Sequence, residues 1–245
     1  MELRNKKILI TGGTSGIGLQ LVGQLQDRSN ELVVLGRSRH KLDHLQNKYG
    51  RINTYHCDLS QRHQVEETLD AVIADHPEIA VLINNAAVQL TPTFISEDFD
   101  FDGIAYEITT NLTAPLWITS LLLAGTLLRQ KEALIVNISS GLAFYPKKES
   151  AVYCATKAAL HSVSQSLRYQ LEETPVRVSE VLLPLVETPM THGRGTHKIT
   201  AESAARHILE GIEKDRDEIY IGKARLLPLM SRLAPSIIKN ILKRY

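Results

Sequence analysis

Two side chains in the second half of the chain have the types and spacing of an acid–base pair. Tyr153 and Lys157 are four residues apart, which places them on one face of a helix. An ammonium close to a phenol favours the phenolate and lowers the phenol pKa from about 10 towards neutral pH, so Tyr153 is a candidate general acid/base. Ser140 directly follows the apolar run 135–139, at the carboxyl end of a predicted strand, where open α/β sheets bind ligands. Because such pairs also occur by chance, the function needs further support.

A glycine-rich turn near the N-terminus has the pattern that binds a pyrophosphate. It lies between the apolar run 7–11 and a predicted helix. Gly12 permits a tight turn, Gly16 lets the backbone approach a phosphate, and Gly18 lets the helix pack close to the sheet. The helix N-terminus adds N–H groups and the positive end of its dipole, although a tight turn without a ligand is the alternative. The predicted cofactor-binding residues of the turn are Gly12, Thr14, Ser15, Gly16, Ile17 and Gly18.

The end of the second predicted strand indicates which dinucleotide would bind. An NAD site places an acid here for the ribose hydroxyls, whereas Gly36-Arg37-Ser38 carries a guanidinium. Arg37 suits the 2′-phosphate of NADP, so NADP(H) is the predicted cofactor and NAD(H) the alternative. A solvated arginine at a helix start would give the same pattern. Asp58, after the third predicted strand, either caps the next helix or accepts a bond from the adenine amino group, and both roles stay open.

The elements that must position these residues are short apolar runs that alternate with helical patterns. Such runs are typical of a parallel sheet buried on both faces. The predicted strands are 7–11, 31–35, 52–57, 80–84, 133–139, 176–183 and 218–221. The predicted helices are 16–28, 39–48, 60–75, 111–129, 151–173 and 201–214. We therefore predict one doubly wound Rossmann domain of the α/β class over residues 1–245, with a parallel sheet of about seven strands and helices on both faces.

Composition argues against several other classes of protein. The 245 residues are 43% hydrophobic, and 28 basic side chains nearly balance 27 acidic ones, which does not indicate a nucleic-acid binder. The two cysteines, Cys57 and Cys154, exclude a disulfide scaffold and a four-thiolate zinc site. His192 and His197 are assigned to a surface loop, and no metal site is predicted. Without an apolar signal core or about 18 uninterrupted apolar residues, the protein is expected to be cytoplasmic and to have no membrane span.

Two segments depart from the alternating pattern. Residues 190–200 are polar, contain two glycines and are predicted to form a mobile substrate loop, in which Arg194 could meet an anion. Residues 223–245 contain six basic residues and no acidic one. Their apolar residues recur at spacings of three and four: Leu226, Leu229, Leu233, Ile237 and Ile241. This basic amphipathic segment either lies on a membrane surface or covers the substrate cleft or a subunit neighbour, and we favour a covering role.

The motifs together resemble those of the short-chain dehydrogenases/reductases over essentially the whole chain. The matching elements are the turn 11–18, Cys57-Asp58-Leu59, Asn84-Asn85-Ala86, Asn111, Ser140, Tyr153 and Lys157, in the order and spacing of the family. Residues 139–144 and 153–159 are most similar to a branch of poorly characterised oxidoreductases named after a gene of the D-alanine teichoic-acid operon. This branch offers no substrate that can be carried over.

The resemblance implies a role for each residue. Tyr153 would exchange the substrate proton, Lys157 would hold the nicotinamide ribose and lower the pKa of Tyr153, and Ser140 would bind the substrate oxygen. Asn111 would hold a water that relays protons from Lys157. The further implied cofactor contacts are Asp58, Leu59, Asn85, Ala86, Val186 and Thr188. The implied partners are a small carbonyl or alcohol substrate and further copies of the chain in a homodimer or homotetramer.

The sequence departs from the family pattern at two positions. Ala87 stands where the family has glycine after Asn-Asn-Ala, and one added methyl group should be tolerated. Pro184 replaces the glycine of the usual Pro-Gly-x-Val-x-Thr stretch and restricts the backbone beside the nicotinamide. Val186 and Thr188 still match the positions that contact the carboxamide. The substitution therefore bears mainly on the substrate pocket.

The function implied by the resemblance is an NADP(H)-dependent oxidoreductase that interconverts a secondary alcohol and a carbonyl. A non-catalytic NADP(H)-binding sensor or scaffold with the same fold is the alternative. Against it stands the complete set of Asn111, Ser140, Tyr153 and Lys157, which such a protein would not need. A sugar-nucleotide epimerase is disfavoured because only about sixty residues follow the sixth strand, too few for a separate substrate domain.

Overall fold

The computed structural model describes residues 1–50 and 52–233, and the bounds below refer to this part of the chain. The strands are β1 Lys7–Thr11, β2 Glu31–Gly36, β3 Ile52–His56, β4 Ile79–Asn84, β5 Ala133–Ser140, β6 Val176–Leu183, β7 Val186–Glu187, β8 Ile199–Thr200 and β9 Glu218–Tyr220. The helices are α1 Gly16–Gln26, α2 Arg39–Lys48, α3 Arg62–Asp75, α4 Phe101–Ile108, α5 Ala114–Gly125, α6 Ala151–Gln170, α7 Ala201–Glu213 and α8 Leu227–Leu233.

Seven of the strands form one sheet with the order β3-β2-β1-β4-β5-β6-β9, and all of its pairs are parallel. Strand β1 pairs with β2 on one side and with β4 on the other, so the direction of winding reverses between β1 and β4. Open α/β sheets bind ligands in the crevice at such a reversal. The predicted α/β fold class and seven-stranded parallel sheet are confirmed, and β7 and β8 form a separate pair.

Both faces of the sheet are buried, which explains the continuous apolar runs. Successive side chains of a strand point to opposite faces. In β1, Ile8 and Ile10 enter a core shared with α1, α2 and α7, whereas Leu9 enters the core on the other face. Helices α3 and α5 cover this second face, with Leu69 and Ile118 fully buried there. The helices on both faces hold the strand ends, and therefore the crevice, in fixed positions.

Helix α4 is the main departure from the predicted elements. The predicted helix 111–129 is preceded by helix from Phe101 onwards, where the Asp100 carboxylate accepts a bond from the backbone N–H of Asp102 at the helix start. A π-helical turn at Thr109–Thr113 joins α4 to α5. Gly103, two residues into the helix, disfavours helix by intrinsic propensity, so packing decides its conformation.

The helical stretch Phe101–Arg129 is long and apolar enough to cross a membrane by length and composition. Buried core helices pass the same test, and 44% of the apolar window lies inside the protein. Ile118 and Leu122 of this stretch are fully buried beneath the sheet. The stretch therefore has a structural explanation as a core helix.

The predicted C-terminal segment 223–245 is described as far as Leu233, and residues 234–245, with Ile237 and Ile241, lie outside the described part. Pro228 occupies the first turn of α8, where the missing N–H of proline is tolerated. The predicted apolar residues Leu226, Leu229 and Leu233 are exposed. Their neighbour Leu227 instead lines a cavity beside β5. The apolar stripe as predicted therefore does not cover the cleft within the described chain.

Candidate active site

The carboxyl ends of β1 and β4 are tied together by side-chain hydrogen bonds at the crevice. Thr11 Oγ1 accepts bonds from the backbone N–H groups of Asn85 and Ala86, each at 3.0 Å. In return, Asn85 Nδ2 donates to the backbone oxygens of Thr11 at 3.0 Å and Gly12 at 3.2 Å. These four bonds fix the glycine-rich turn relative to the Asn-Asn-Ala stretch.

The glycine-rich turn has the geometry of a phosphate cradle. Gly12 and Gly16 have positive φ angles of 69° and 52°, which glycine adopts without strain. A Cβ on Gly18 would lie 2.3 Å from the Gly12 carbonyl oxygen, so a side chain there would displace the backbone. The Ser15 side chain makes no capping bond to α1, and the first turn has no acidic residue. The helix N-terminus therefore keeps N–H groups and dipole available for an anion.

A groove of about 270 Å³ runs from this turn along the carboxyl ends of the strands. Nearly all of the predicted cofactor-binding residues line it: Gly12, Thr14, Ser15, Gly16, Ile17, Gly18, Arg37, Asp58, Leu59, Asn85, Ala86, Tyr153, Lys157 and Thr188. Val186 lies apart from them, since it is buried and lines a second cavity. The groove extends from Arg37 and Asp58 past the glycine turn to Tyr153 and Lys157, which fits an extended dinucleotide.

Two polar side chains stand at the end of the groove near β2 and β3. The Arg37 guanidinium follows β2 and donates to the hydroxyl of Tyr106, a groove residue on α4 that sequence reasoning missed because this helix was not predicted. Asp58 Oδ1 accepts bonds from the backbone N–H and the hydroxyl of Ser60, at 3.0 and 2.8 Å. Asp58 therefore shapes the turn before α3 but does not cap the helix, whose N-cap residue is Gln61. The predicted capping role is wrong, and the adenine contact stays a prediction.

Helix α6 presents Tyr153 and Lys157 to the end of the groove. Lys157 is 3% exposed, and its Nζ donates to the Ile138 carbonyl oxygen at 2.8 Å. The same Nζ lies 5.6 Å from the centroid of the Tyr153 ring. Ser140, at the end of β5, hydrogen-bonds the phenol of Tyr153, and its Oγ accepts a bond from the Leu142 N–H at 3.2 Å. The structure therefore brings Ser140, Tyr153 and Lys157 together as the sequence predicts.

The electrostatics of this group differ from the sequence-based prediction. Burial raises the pKa of Tyr153 well above its ordinary value, although the Arg194 charge and the Ser140 hydrogen bond act in the opposite direction. The predicted net lowering of the Tyr153 pKa is therefore wrong for the protein alone. Burial also lowers the pKa of Lys157 from 10.5 to about 8, against the opposing charge of Glu180. A desolvated ammonium beneath the ring is costly, because few polar groups surround it.

Asn111 lies in the π-helical turn between α4 and α5, and its amide contacts the irregular segment that follows β4. Its Oδ1 accepts from the Val88 N–H and its Nδ2 donates to the Val88 carbonyl oxygen, both at 2.8 Å. The Nδ2 also approaches Thr156 Oγ1 at 3.4 Å. Turns of π-helix often occur at functional sites. The amide therefore joins three elements around the site, and its role in holding a water stays a prediction.

A second cavity of about 430 Å³ lies on the other side of Tyr153. Ser140 and Tyr153 line it, so the candidate acid–base group faces both spaces. Pro184, the departure from the family pattern, also lines it, and a Cβ on Gly222 would lie 3.3 Å from Pro184 Cγ. Gly222 has a positive φ of 54°, which brings the chain close to the proline. Pro184 thus shapes the wall of this second cavity.

The predicted substrate loop 190–200 closes one side of the second cavity. A short 3₁₀-helix at Pro189–Thr191 begins it, and the short strand β8 ends it. Gly193 and Gly195 adopt positive φ angles of 72° and 62°, which explains the two glycines. Lys198 Nζ donates to the Thr191 carbonyl oxygen and ties the two ends of the loop together. Its mobility stays a prediction.

A cluster of possible metal ligands lies outside the two cavities. Ligand atoms of His161, Glu180 and Glu218 are within 4.8 Å of one another, and His161 Nδ1 is 2.6 Å from Glu180 Oε2. The Arg168 guanidinium lies 4.0 Å from the Glu180 carboxylate and 3.8 Å from that of Glu218. This cation already stands beside both carboxylates. The cluster is therefore explained as an ion-pair network.

A glycine cradle at the sheet reversal, followed by a groove that ends at a serine, a tyrosine and a lysine, is characteristic of nucleotide-dependent dehydrogenases. The model of the family described as "short chain dehydrogenase" matches residues 6–199. The chain belongs to this family. It is 38% identical over 227 residues to the uncharacterized oxidoreductase DltE of Bacillus subtilis (strain 168), covering 89% of both chains. The predicted similarity to that branch is confirmed.

Solved structures share the fold at lower sequence identity. A short chain dehydrogenase from Burkholderia cenocepacia J2315, in complex with NADP, has a TM-score of 0.85 and 23% identity over 99% of each chain. A short chain dehydrogenase/reductase from Burkholderia phymatum, in complex with NAD, has a TM-score of 0.82 and 19% identity, covering 95% of this chain and 96% of that one. At these identities the likeness establishes the fold alone.

Proposed function

We propose that the protein is an NADP(H)-dependent oxidoreductase that interconverts a secondary alcohol and a carbonyl, with Tyr153 as general acid/base. The observation that carries this proposal is the position of Tyr153 between the groove and the second cavity. One space suits a dinucleotide and the other a small molecule, so a bound substrate and a bound cofactor would meet at the phenol. Such placement is the main protein contribution to cofactor chemistry.

The glycine cradle and Arg37 support the choice of cofactor. The turn 12–18 would hold the pyrophosphate, and Arg37 at the end of β2 would bind the 2′-phosphate that distinguishes NADP from NAD. Of the two solved structures described above, one is a complex with NADP and the other a complex with NAD, so the proposed preference rests on Arg37. When bound, the nicotinamide supplies or accepts the hydride.

The residues of the chain would perform the proton transfer and the positioning. In the reducing direction the Tyr153 hydroxyl would give its proton to the carbonyl oxygen of the substrate, which would leave Tyr153 as a phenolate. Ser140 Oγ accepts from the Leu142 N–H, and its hydroxyl hydrogen, which points to the Tyr153 phenol in the free protein, would turn to the substrate oxygen when a substrate binds. The Lys157 ammonium beneath the ring stabilises the phenolate and, with two further N–H donors, suits the ribose hydroxyls.

Replacement of Tyr153 by phenylalanine tests the proposal. Turnover of a panel of ketones and aldehydes with NADPH is expected to fall by about 10²- to 10⁴-fold, because the proton donor is lost. Binding of NADPH, measured by fluorescence titration, should be almost unchanged. Tyr169→Phe is the matched control, since Tyr169 lies on the same helix but is 76% exposed. The control should retain full activity.

Two results would contradict the proposal. Tyr153→Phe with wild-type turnover would exclude the phenol as the acid/base. Cofactor binding by the wild type without turnover of any carbonyl in the panel would favour the sensor or scaffold function instead. A preference for NADH over NADPH would contradict the role of Arg37 alone.

A further inference from the structure

The second cavity has a concentration of positive charge. Three cationic side chains line it: Lys147, Arg194 and Lys223. Within residues 1–50 and 52–233, the lining includes no aspartate or glutamate. Charged surfaces usually mix both signs, and a cleft lined by one sign raises the local concentration of oppositely charged ligands. The cavity is therefore electrostatically suited to an anion.

Arg194 is the most informative of these cations. Its Nη1 is buried and has no hydrogen-bond partner within the part of the chain that the structure describes. Arginine stays protonated in proteins, so this N–H group cannot lose its charge to relieve its burial. Leaving a buried charged donor unsatisfied is costly, which indicates a partner that arrives from the cavity.

The position of Arg194 relative to the proposed reaction centre limits where an anion would bind. Arg194 and Tyr153 line the same cavity, and the guanidinium charge lowers the pKa of Tyr153 against the larger effect of burial. Glu107 acts on Tyr153 in the opposite sense, but its Oε1 is occupied by the Leu90 N–H at 3.0 Å and its side chain does not line the cavity. An anion held by Arg194 would therefore lie close to the carbonyl that Tyr153 protonates.

The two lysines add weaker positive charge around the same space. Lys147 Nζ lies 3.6 Å from the carboxylate of Glu149, whose side chain is half exposed and is solvated rather than inserted into the cavity. The Lys147 side chain is itself only 15% exposed, and Glu149 already balances part of its charge. Lys223 is exposed and therefore solvated. Both lysines thus have a carboxylate or water as partner, whereas Arg194 Nη1 has no partner within the described residues.

The remaining wall of the cavity is mostly apolar. Leu142, Leu183, Leu185, Met190 and Leu227 line it. Apolar walls with a few placed polar groups are typical of small-molecule sites, in which the polar groups fix the orientation of the ligand. A ligand with a hydrocarbon body and one charged end satisfies both parts of this lining.

We propose that the substrate is a carbonyl compound with an apolar body and an anionic group, a carboxylate or a phosphate, a few bonds from the carbonyl, and that Arg194 binds this group. This inference rests on the proposed oxidoreductase function, because it assigns a substrate class to the same site. A planar guanidinium pairs with two oxygens of a carboxylate or phosphate at once, which fixes orientation as well as affinity.

Binding of non-reacting probes tests this proposal without requiring turnover. Isothermal titration calorimetry on the protein saturated with NADP⁺ would compare 4-phenylbutyrate and 4-phenylbutyl phosphate with the neutral 4-phenylbutanol. The preferred anion is expected to bind about 10- to 100-fold more tightly than the alcohol. The tighter of the two anions identifies the charged group.

Substitutions of Arg194 then assign the preference to this side chain. Arg194→Gln should abolish the preference for the anion, whereas Arg194→Lys should restore part of it, because the charge returns without the planar pair of donors. Arg62→Gln is the matched control, since Arg62 is exposed and pairs with Glu66 on the surface of α3. This control should keep the full preference.

The proposal fails if the anions and the alcohol bind equally, or if folded Arg194→Gln retains the preference. Its failure is distinguishable from failure of the oxidoreductase function, which is judged by Tyr153→Phe and cofactor binding. If NADP⁺ does not bind, the same titrations compare the wild type with Arg194→Gln, because a probe held by the glycine turn would bind both proteins equally. Anion selectivity that Arg194→Gln loses would still support the Arg194 site.

Discussion

Replacement of Lys157 by methionine is expected to change how the stability of the cofactor-free protein depends on pH. The folded protein binds the Lys157 proton weakly, since burial lowers its pKa from 10.5 to about 8. Below pH 8 the ammonium must remain charged in a buried position, and each unit of pKa shift corresponds to about 1.4 kcal/mol. Lys157 therefore decreases the free energy of unfolding by about 3 kcal/mol near neutral pH.

The direction in which stability changes with pH follows from the Lys157 pKa in the folded chain and in the unfolded chain. Between pH 8 and 10.5 the unfolded chain holds the Lys157 proton while the folded chain has released it, so stability rises with pH in this window. Methionine has a similar length, packs well in apolar surroundings and does not titrate. Loss of the bond to the Ile138 carbonyl oxygen costs about 1–3 kcal/mol, but this cost is independent of pH.

The measurable quantity is the difference in unfolding free energy between Lys157→Met and wild type. This difference should shift by about 2 kcal/mol in favour of wild type between about pH 7 and about pH 9.5. Urea titrations at several pH values measure it, provided that the m-values agree. Taking the difference cancels other groups that titrate in this range, and Lys41→Met controls for removal of an exposed ammonium.

A difference that stays constant over this pH range would refute the buried-charge reasoning, whatever its size at neutral pH. The same substitution should abolish turnover, because it removes the cation beneath the Tyr153 ring. If Lys157→Met shows the expected pH dependence of stability but has no activity, the wild-type protein keeps a destabilising lysine because its function requires it.

Three further predictions concern the turn, the cofactor preference and the π-helical turn. Gly18→Ala places a Cβ 2.3 Å from the Gly12 carbonyl oxygen, so thermal melting should show a loss of about 2 kcal/mol in the free energy of unfolding. Titration should show that this variant binds NADPH more weakly. Gly50→Ala is the control and should show neither effect, because a Cβ on Gly50 has no atom within 4 Å. Arg37→Gln should weaken NADPH binding by about 10- to 100-fold and leave NADH binding unchanged, and equal losses for both would contradict the 2′-phosphate role. Asn111→Ala removes both bonds to the Val88 backbone and should lower the free energy of unfolding in urea by about 2 kcal/mol. A loss below about 0.5 kcal/mol would show that the amide does not support the site.

The central strands could be predicted because both faces of the sheet are buried. Every residue of β1 is buried, so its apolar run is unbroken and its predicted bounds, 7–11, match the structure. Helix α6 was also predicted, and it begins at Ala151 as expected. Tyr153 and Lys157 lie on one face of this helix because they are four residues apart. Helix α4 was not predicted, because Gly103 lies in its first turn and glycine disfavours helix.

The candidate site was predictable to the extent that residue type carries the chemistry. The glycine turn, Arg37, Ser140, Tyr153 and Lys157 all line the two cavities, as the motifs predicted. The direction of the Tyr153 pKa was not predictable, because spacing along a helix shows proximity to a cation but not the depth of burial. The Lys157 ammonium bonds to the Ile138 carbonyl oxygen, a contact between β5 and α6 that spacing along α6 does not show.

By itself, the sequence determined the fold class, the glycine turn and the Tyr153–Lys157 pair, because glycine conformation, strand periodicity and helical spacing are local properties of the chain. The family and the remaining predicted groove residues came from the resemblance of the motifs to those of known proteins. Only the tertiary structure decided the contacts of such residues. Arg37 donates to the Tyr106 hydroxyl, Asn111 bonds the Val88 backbone, and Arg194 lines the second cavity with its Nη1 buried and unsatisfied within the described residues. Burial and charge are sums over groups from distant parts of the chain. The polarity of the substrate pocket therefore becomes visible only when the loop 190–200, strand β5 and the residues near 223 come together.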